Sequence, residues 1–344
     1  MTTSGKTLTF TAFTLLFILG RTVSFALHES CVQAADPQPA QNAYVTAPYL
    51  NREYGFKTVG TYLERQSNAS KNRENGTWGL LGGSHNADVT DTRYRASNIW
   101  FAQIGRDLFQ EEKPDGEHRR AGVIVTLGNQ TTDTKDSALR LIGQALSTGN
   151  ISTASAGIGG YYSAVTSEGG YLNVVNQNTF YREDLSEKRN AAQKGYGSTL
   201  SVEIGKPYRV ADNWRLEPQA QFVAQHLHLD SFNTLSQRIQ PIDQNSGQVR
   251  GGLRIFRQTE RNTSSLTPYF HIDLVGNVGD KSAVTINTVE IEPPTTERWV
   301  QDGVGLTATL SKRVAFFSDI THYRNLSLPG MGYQGQLGIN VSFR

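Results

Sequence analysis

Apolar and polar residues alternate with a period of two through much of this 344-residue chain, and few folds can accept that pattern. The last stretch shows it most fully. Tyr333, Gly335, Leu337, Ile339, Val341 and Phe343 fall on one face of an extended strand, and Gln334, Gln336, Gly338, Asn340, Ser342 and Arg344 on the other. The same holds for Trp214, Leu216, Pro218, Ala220 and Phe222 against Arg215, Glu217, Gln219 and Gln221, for Phe270, Ile272 and Leu274 against His271 and Asp273, and for Val304, Leu306, Ala308 and Leu310. Successive strand side chains point to opposite faces, so each segment reads as a strand whose two faces meet different solvents. In a soluble sandwich the apolar face turns inward onto a core. In an outer-membrane barrel it turns outward to lipid, and the polar face lines the lumen.

Strand count and connection length separate these two readings. Strands are predicted near 77–84, 92–105, 119–130, 153–165, 170–181, 195–207, 213–228, 248–258, 266–275, 300–310, 314–323 and 333–343, the even count that single-chain bacterial barrels require. Connections after even-numbered strands are mostly short, at 166–169, 208–212 and 311–313, with 106–118 the exception. Those after odd-numbered strands are mostly long, at 131–152, 229–247 and 276–299. Short turns at one end and long loops at the other are the asymmetry of outer-membrane barrels, with the turns periplasmic and the loops extracellular. Hydrocarbon offers no partner to an open sheet edge, so the first and last strands must pair. The predicted fold class is therefore all-β: a 12-stranded antiparallel transmembrane β-barrel in the bacterial outer membrane, with outer-membrane lipid as its solvent and its C-terminus periplasmic.

Composition excludes the main alternatives. Hydrophobic residues make up 37% and the mean hydropathy is -0.43, so nothing beyond the N-terminus supplies the ~20 apolar residues of a membrane helix. The 33 basic and 31 acidic residues leave a net charge of +2, which gives no general pull toward nucleic acid. One cysteine, Cys31, permits no disulfide framework, and His28-Glu29-Ser30 before it does not make a lipoprotein signal.

Lys6 followed by the apolar run Leu8 to Gly20 reads as a secretory signal peptide handled by the inner-membrane secretion machinery. Small residues allow cleavage after Ala26 or after Ala34, so the peptide is expected to span 1–26, with 34 as the alternative end. Residues 27–43, rich in Pro, Gln and Ala from Ala35 to Asn42, are expected to be a linker or vestigial passenger. A helix is expected within Tyr44 to Arg65, followed by a lead-in to residue 76 and the barrel over 77–344.

The residues resemble a known family at this point: the C-terminal translocator barrel of type V secretion autotransporters, which includes pertactin-like domains. The resemblance rests chiefly on Pro207-Tyr208 and on Trp214-Arg215-Leu216-Glu217-Pro218-Gln219, and it is supported by Trp78-Gly79, by Gln103 to Leu108, by His118 to Gly122, by Gly159 to Tyr162 and by Gly169 to Asn173. It covers about 44–344 and implies a barrel closed around a linking helix, here Tyr44 to Arg65, threaded through the lumen. It also implies dependence on periplasmic chaperones and on a barrel-assembly machinery that reads the last strand, here Tyr333, Leu337, Ile339, Val341 and Phe343. The family usually ends on an aromatic residue, whereas Arg344 follows Phe343 here; and only 27–43 separate Ala26 from the helix, against passengers usually hundreds of residues long.

No organised chemistry emerges from the side chains. His226 and His228, with Asp230 just beyond, put two candidate ligands on one strand near the outer rim, a weak metal signal. Arg215, Glu217, Gln219 and Asp273 are expected to face the lumen, with Arg215 or Arg254 as partners for the carboxylates. Asn42 and Asn51 match the self-cleaving asparagine of some autotransporters in residue type only. No catalytic, cofactor or metal residue is assigned. Gly159-Gly160 and Gly251-Gly252 are expected where backbones approach closely, against the threaded helix. Tyr161, Tyr162, Tyr171, Trp214, Phe316 and Phe317 are expected to include members of the interfacial aromatic belts, with Trp299 at the outer one. The leading functional expectation is a barrel that translocates or anchors an N-terminal passenger, here nearly absent. The alternative is a surface-loop adhesin or ligand-binding outer-membrane protein, and an enzyme is not expected.

Overall fold

In a computed structural model, the described residues are 42–65, 76–90, 93–137, 147–186, 190–234, 237–257, 265–293, 295–311 and 313–342. The signal peptide expected at 1–26 or 1–34, Cys31, Phe343 and Arg344 lie outside them. The chain opens with helix α1, Asn42–Thr58, and the single turn α2, Tyr62–Arg65. Gly60 lies between them with φ +49°, a left-handed conformation that glycine adopts without strain, so the predicted single helix is broken at this point.

Twelve long strands follow: β1 Gly76–Thr90, β2 Arg93–Glu112, β3 His118–Asp136, β4 Ser147–Val165, β5 Tyr171–Ser186, β6 Asn190–Gly205, β7 Trp214–Leu229, β8 Ile242–Arg257, β9 Ser265–Gly279, β10 Arg298–Thr309, β11 Val314–Asn325 and β12 Gly330–Ser342. Each pairs antiparallel with its chain neighbours, and β1 pairs with β12 from Gly76↔Ser342 to Asp88↔Gly330, so the sheet closes on itself. The pair Tyr208–Arg209 adds only a two-residue extension beside β7.

Burial alternates along the strands with the predicted sense. Outward positions are apolar and exposed, among them Ile104 (64%), Phe180 (62%), Leu274 (58%), Ile320 (65%) and Leu337 (54%). Inward neighbours such as Gln103, Thr126, Gln177 and Glu203 are buried. A soluble sandwich would show the reverse, because burying amides while exposing leucines is favourable only where the outer solvent is hydrocarbon.

Several strands run further toward the long-loop end than predicted. β3 continues through Thr131 to Asp136, β4 begins at Ser147 and β8 at Ile242. In these extensions the outward residues are themselves polar, as with Asp133, Lys135, Asp243 and Asn245, because that part of the wall stands beyond the apolar band and meets polar surroundings on its outer face. The alternation that marks a strand in sequence is lost there while the backbone ladder continues. Two long connections are partly ordered in turn: Phe232–Asn233, Arg238–Ile239, Val284–Ile286 and Val289–Ile291 form a second, four-stranded sheet at this end.

The aromatic expectation needs correction at four positions. Tyr162, Trp214 and Phe316 lie on the outward parity, but Tyr161, Tyr171 and Phe317 point into the barrel and are buried. Trp299 also turns inward, beside the mouth of the lumen. Adjacent aromatics such as Tyr161-Tyr162 necessarily face opposite ways on a strand, so at most one of each pair can join a belt. The glycine expectation of close backbone approach holds at Gly159, but not against the helix. A Cβ on Gly159 would meet the Asn176 carbonyl and one on Gly252 the Asp273 carboxylate, neither of them on the helix, and one on Gly251 would meet nothing within 4 Å.

Candidate functional site in the threaded lumen

Helix α1 lies inside the closed sheet, with Tyr44, Val45, Ala47, Leu50, Tyr54 and Phe56 all buried. Its 17 residues correspond to about 25 Å of rise, close to the roughly 25 Å height of the apolar band in such barrels. No helix among the described residues is long and apolar enough to cross a membrane by itself, and α1 carries Arg52, Glu53 and Lys57. Within a barrel whose inward face is polar, those charges need not meet lipid.

The helix has a defined direction. At its start, the Tyr44 ring meets Phe232, from the long connection after β7, edge-on at 5.3 Å. Past its end, Tyr62 stacks on Tyr171 at 4.0 Å, and Tyr171 follows the short turn at 166–170. The chain therefore enters the lumen among the long loops and leaves it among the short turns, and Ile239, Val284, Ile286 and Ile291 of the small sheet join the buried cluster around its start.

Each level of the helix is held by wall side chains. The Asn51 amide donates to Glu183, the Gln130 amide donates to the Asn51 side-chain oxygen at 3.2 Å, and the Tyr181 hydroxyl donates to the Asn51 carbonyl at 3.2 Å. Gln103 donates to the Thr58 carbonyl at 2.7 Å, where the helix leaves its last carbonyls unpaired, and Gln177 donates to the Thr58 hydroxyl at 3.0 Å. Gln221 donates to the Gly60 carbonyl at 2.8 Å, and the Tyr62 amide donates to Glu203 at 2.6 Å. Close approach needs small residues at two levels: a Cβ on Gly128 would lie 2.4 Å from the Tyr54 hydroxyl, and one on Gly55 would collide with the Gln225 amide.

Glu203 ties the end of the helix to a charged shelf on the wall. Arg250 donates to Glu203 at 3.0 Å, to Asp273 at 2.9 Å, to Gln219 at 3.0 Å and to Gln221 at 2.9 Å. Arg254 pairs with Glu217 at 2.8 Å, and His271 contacts Asp273 at 2.8 Å and Asp319 at 3.5 Å. Arg250 joins Asp273 to Gln219, whose amide donates to Glu217 at 2.7 Å, so the three belong to one lumen network, whereas Arg215 is half-buried opposite Phe256 and pairs with neither carboxylate. Arg250 was not singled out in the sequence, although its inward parity between Val249 and Gly251 marked it.

The remaining candidates fall elsewhere. His226 and His228 lie on the exposed side of β7; His228 contacts Asp243 at 2.7 Å and Asp230 at 3.4 Å. Among the described residues no group of three or more His, Cys, Asp or Glu could hold a metal ion. Trp214 is exposed at the start of β7, and Leu216 and Pro218 follow it outward, half-buried. In β12, Tyr333, Leu337 and Ile339 are exposed on the outer face and Val341 is half-buried.

Comparison with known proteins is consistent across sequence and structure. The family model described as the autotransporter beta-domain matches residues 73–321, a span that includes Trp214 to Gln219 and ends before β12. The adhesin BmaC autotransporter of Brucella suis biovar 1 is 24% identical over 257 residues, covering 71% of this chain but 7% of that protein. The transport unit of AIDA-I from Escherichia coli superposes with a TM-score of 0.67 at 11% identity, covering 90% of this chain and 100% of that one. The beta domain of the Bordetella autotransporter BrkA gives 0.62 at 16% identity, over 78% of this chain and 100% of that one. The NalP translocator domain of Neisseria meningitidis gives 0.61 at 10% identity, over 90% and 100%.

Proposed function

This chain belongs to the autotransporter beta-domain family and is an outer-membrane translocator barrel, and from that premise we propose that it carries the segment upstream of Asn42 through its lumen and holds it at the cell surface. The observation that supports this most directly is the direction of α1: its start packs against Phe232 among the long loops, and Tyr62, just past its end, hydrogen-bonds to Glu203 near the short turns. With long loops outside, as in barrels of this class, upstream chain emerges outside and the C-terminus stays periplasmic.

The signal peptide at 1–26 would deliver the chain to the inner-membrane secretion machinery. Periplasmic chaperones and the barrel-assembly machinery would then act on it, with Tyr333, Leu337, Ile339, Val341 and Phe343 as the assembly signal, and with Trp214, Leu216, Glu217, Pro218 and Gln219 shaping the adjoining turn. In this reading the lumen side chains act as a cradle, and no bond is made or broken by them.

An epitope placed immediately before Tyr44 tests the proposal. Antibody added to intact cells should bind it. A folded barrel whose epitope is reached only after the cells are permeabilised would overturn the orientation. A second reading, a ligand-binding role for the outer loops, draws support from the ordered four-stranded sheet they build. Deleting 282–291 should then abolish adhesion of whole cells without reducing the amount of folded barrel.

A further inference from the structure

The helix does not fill the lumen evenly. Tyr49, Glu53 and Lys57 recur at four-residue spacing along one face of α1, and that face borders a half-open cleft of about 40 Å³ at the long-loop mouth, closed opposite by β1 and by the ends of β10, β11 and β12. One ordered water needs about 10–15 Å³, so the cleft takes a group larger than a single water but no whole chain.

Its polar atoms are unevenly used. Oε1 of Glu53 and Oγ1 of Thr296 have no hydrogen-bond partner among the described residues, although Glu53 is 8% and Thr296 4% exposed. Among the described residues the only ion pair of Glu53 is with Arg52 at 3.8 Å. Lys57 donates to Gln334 at 3.2 Å and rests over the Tyr323 ring at 4.5 Å, which leaves other N–H directions open. Tyr49 is covered by Arg95 at 4.1 Å and Arg52 at 5.3 Å, whereas Trp299 has neither a ring nor a cation against it among the described residues.

These features select among ligand classes. Glu53 and Lys57 cancel in charge one turn apart, and Asp88 in the same wall is neutralised by Arg95 at 2.7 Å, so the cleft exerts no strong pull on a simple anion or cation. A free acceptor, a free hydroxyl and an ammonium lining the same cleft as an indole ring suit a group that both donates and accepts from several hydroxyls and has an apolar C–H face. We propose that the cleft bounded by Glu53, Lys57, Thr296 and Trp299 is a binding site for one edge of a neutral sugar ring presented from outside the cell.

The test is a titration of the full chain, refolded in a detergent with no sugar headgroup, against D-glucose, D-galactose and N-acetyl-D-glucosamine, with glycine and tetramethylammonium as zwitterion and cation controls. The signal is the tryptophan emission lost in W299F. Saturable binding of at least one sugar with Kd on the order of millimolar is expected, weakened at least ~10-fold in both E53Q and T296V. Heat-modifiable migration of each variant confirms that the barrel is folded. Absence of saturable sugar binding by the folded protein, tighter binding of either control, or sugar binding unchanged in E53Q and T296V would each overturn the proposal.

Discussion

At the scale of single residues, the helix is held by buried hydrogen bonds whose loss can be measured separately. Asn51→Leu removes the amide that serves Glu183 and leaves that carboxylate buried without its donor, a change expected to cost about 1–3 kcal/mol in denaturant unfolding of the detergent-folded barrel. Glu183→Gln keeps an acceptor for Asn51 and should change stability by less than half as much, so the pair of variants distinguishes a lost hydrogen bond from a lost charge. Arg250 faces a steeper penalty: Arg250→Met takes the paired cation from buried Glu203 and one of two from Asp273, and should cost roughly 3–5 kcal/mol by the same measurement. At Gly128, a valine side chain would be forced against Tyr54 and the Trp100 carbonyl, so Gly128→Val should either push α1 off this wall or destabilise the barrel by about 1–3 kcal/mol. Increased protease cleavage within 42–58, with the strands still resistant, identifies displacement of the helix.

At the scale of elements, each strand has a lipid side and a lumen side, and the two should respond differently to one substitution. Ile320→Arg places a charge on the outer face of β11 and is expected to cost about 2–4 kcal/mol if the position lies near the bilayer midplane, read as the loss of folded protein in lipid vesicles. Gln301→Arg, on the inner face of β10, puts a donor where Gln301 already donates to Asp273 at 3.0 Å and should fold to near wild-type yield. Equal losses at both positions would contradict the assignment of faces. The strands were legible in sequence for the reason this contrast works: two solvents impose a period of two, and Phe270 to Leu274 or Tyr333 to Val341 carry it without interruption. Strand ends were not legible, because β3 beyond Gln130 has polar residues on both faces and nothing marks the continuing ladder. Nor was the inner wall, since Ile151, Leu185 and Leu227 turn inward to meet α1, a demand set by the helix rather than by their own strands. The helix was only partly legible, because its charges suit a polar lumen and spoil any apolar stripe.

At the scale of the whole molecule, closure and plugging follow from one another. Pairing of β1 with β12 removes the free edge that hydrocarbon would not tolerate, and the resulting tube is occupied by α1, packed mainly against the side formed by β3 to β7. The side bordered by β1 and the ends of β10 to β12 keeps a cleft. The small sheet built from the two long connections covers the start of the helix with Phe232 and Ile239. The central claim is that the helix, and not a narrow barrel, occludes the pore. The most direct measurement is single-channel conductance in planar bilayers of the full chain beside a variant lacking 42–65. A marked rise in conductance is predicted when the helix is removed from a folded barrel; a folded barrel whose conductance is unchanged without it would contradict the account.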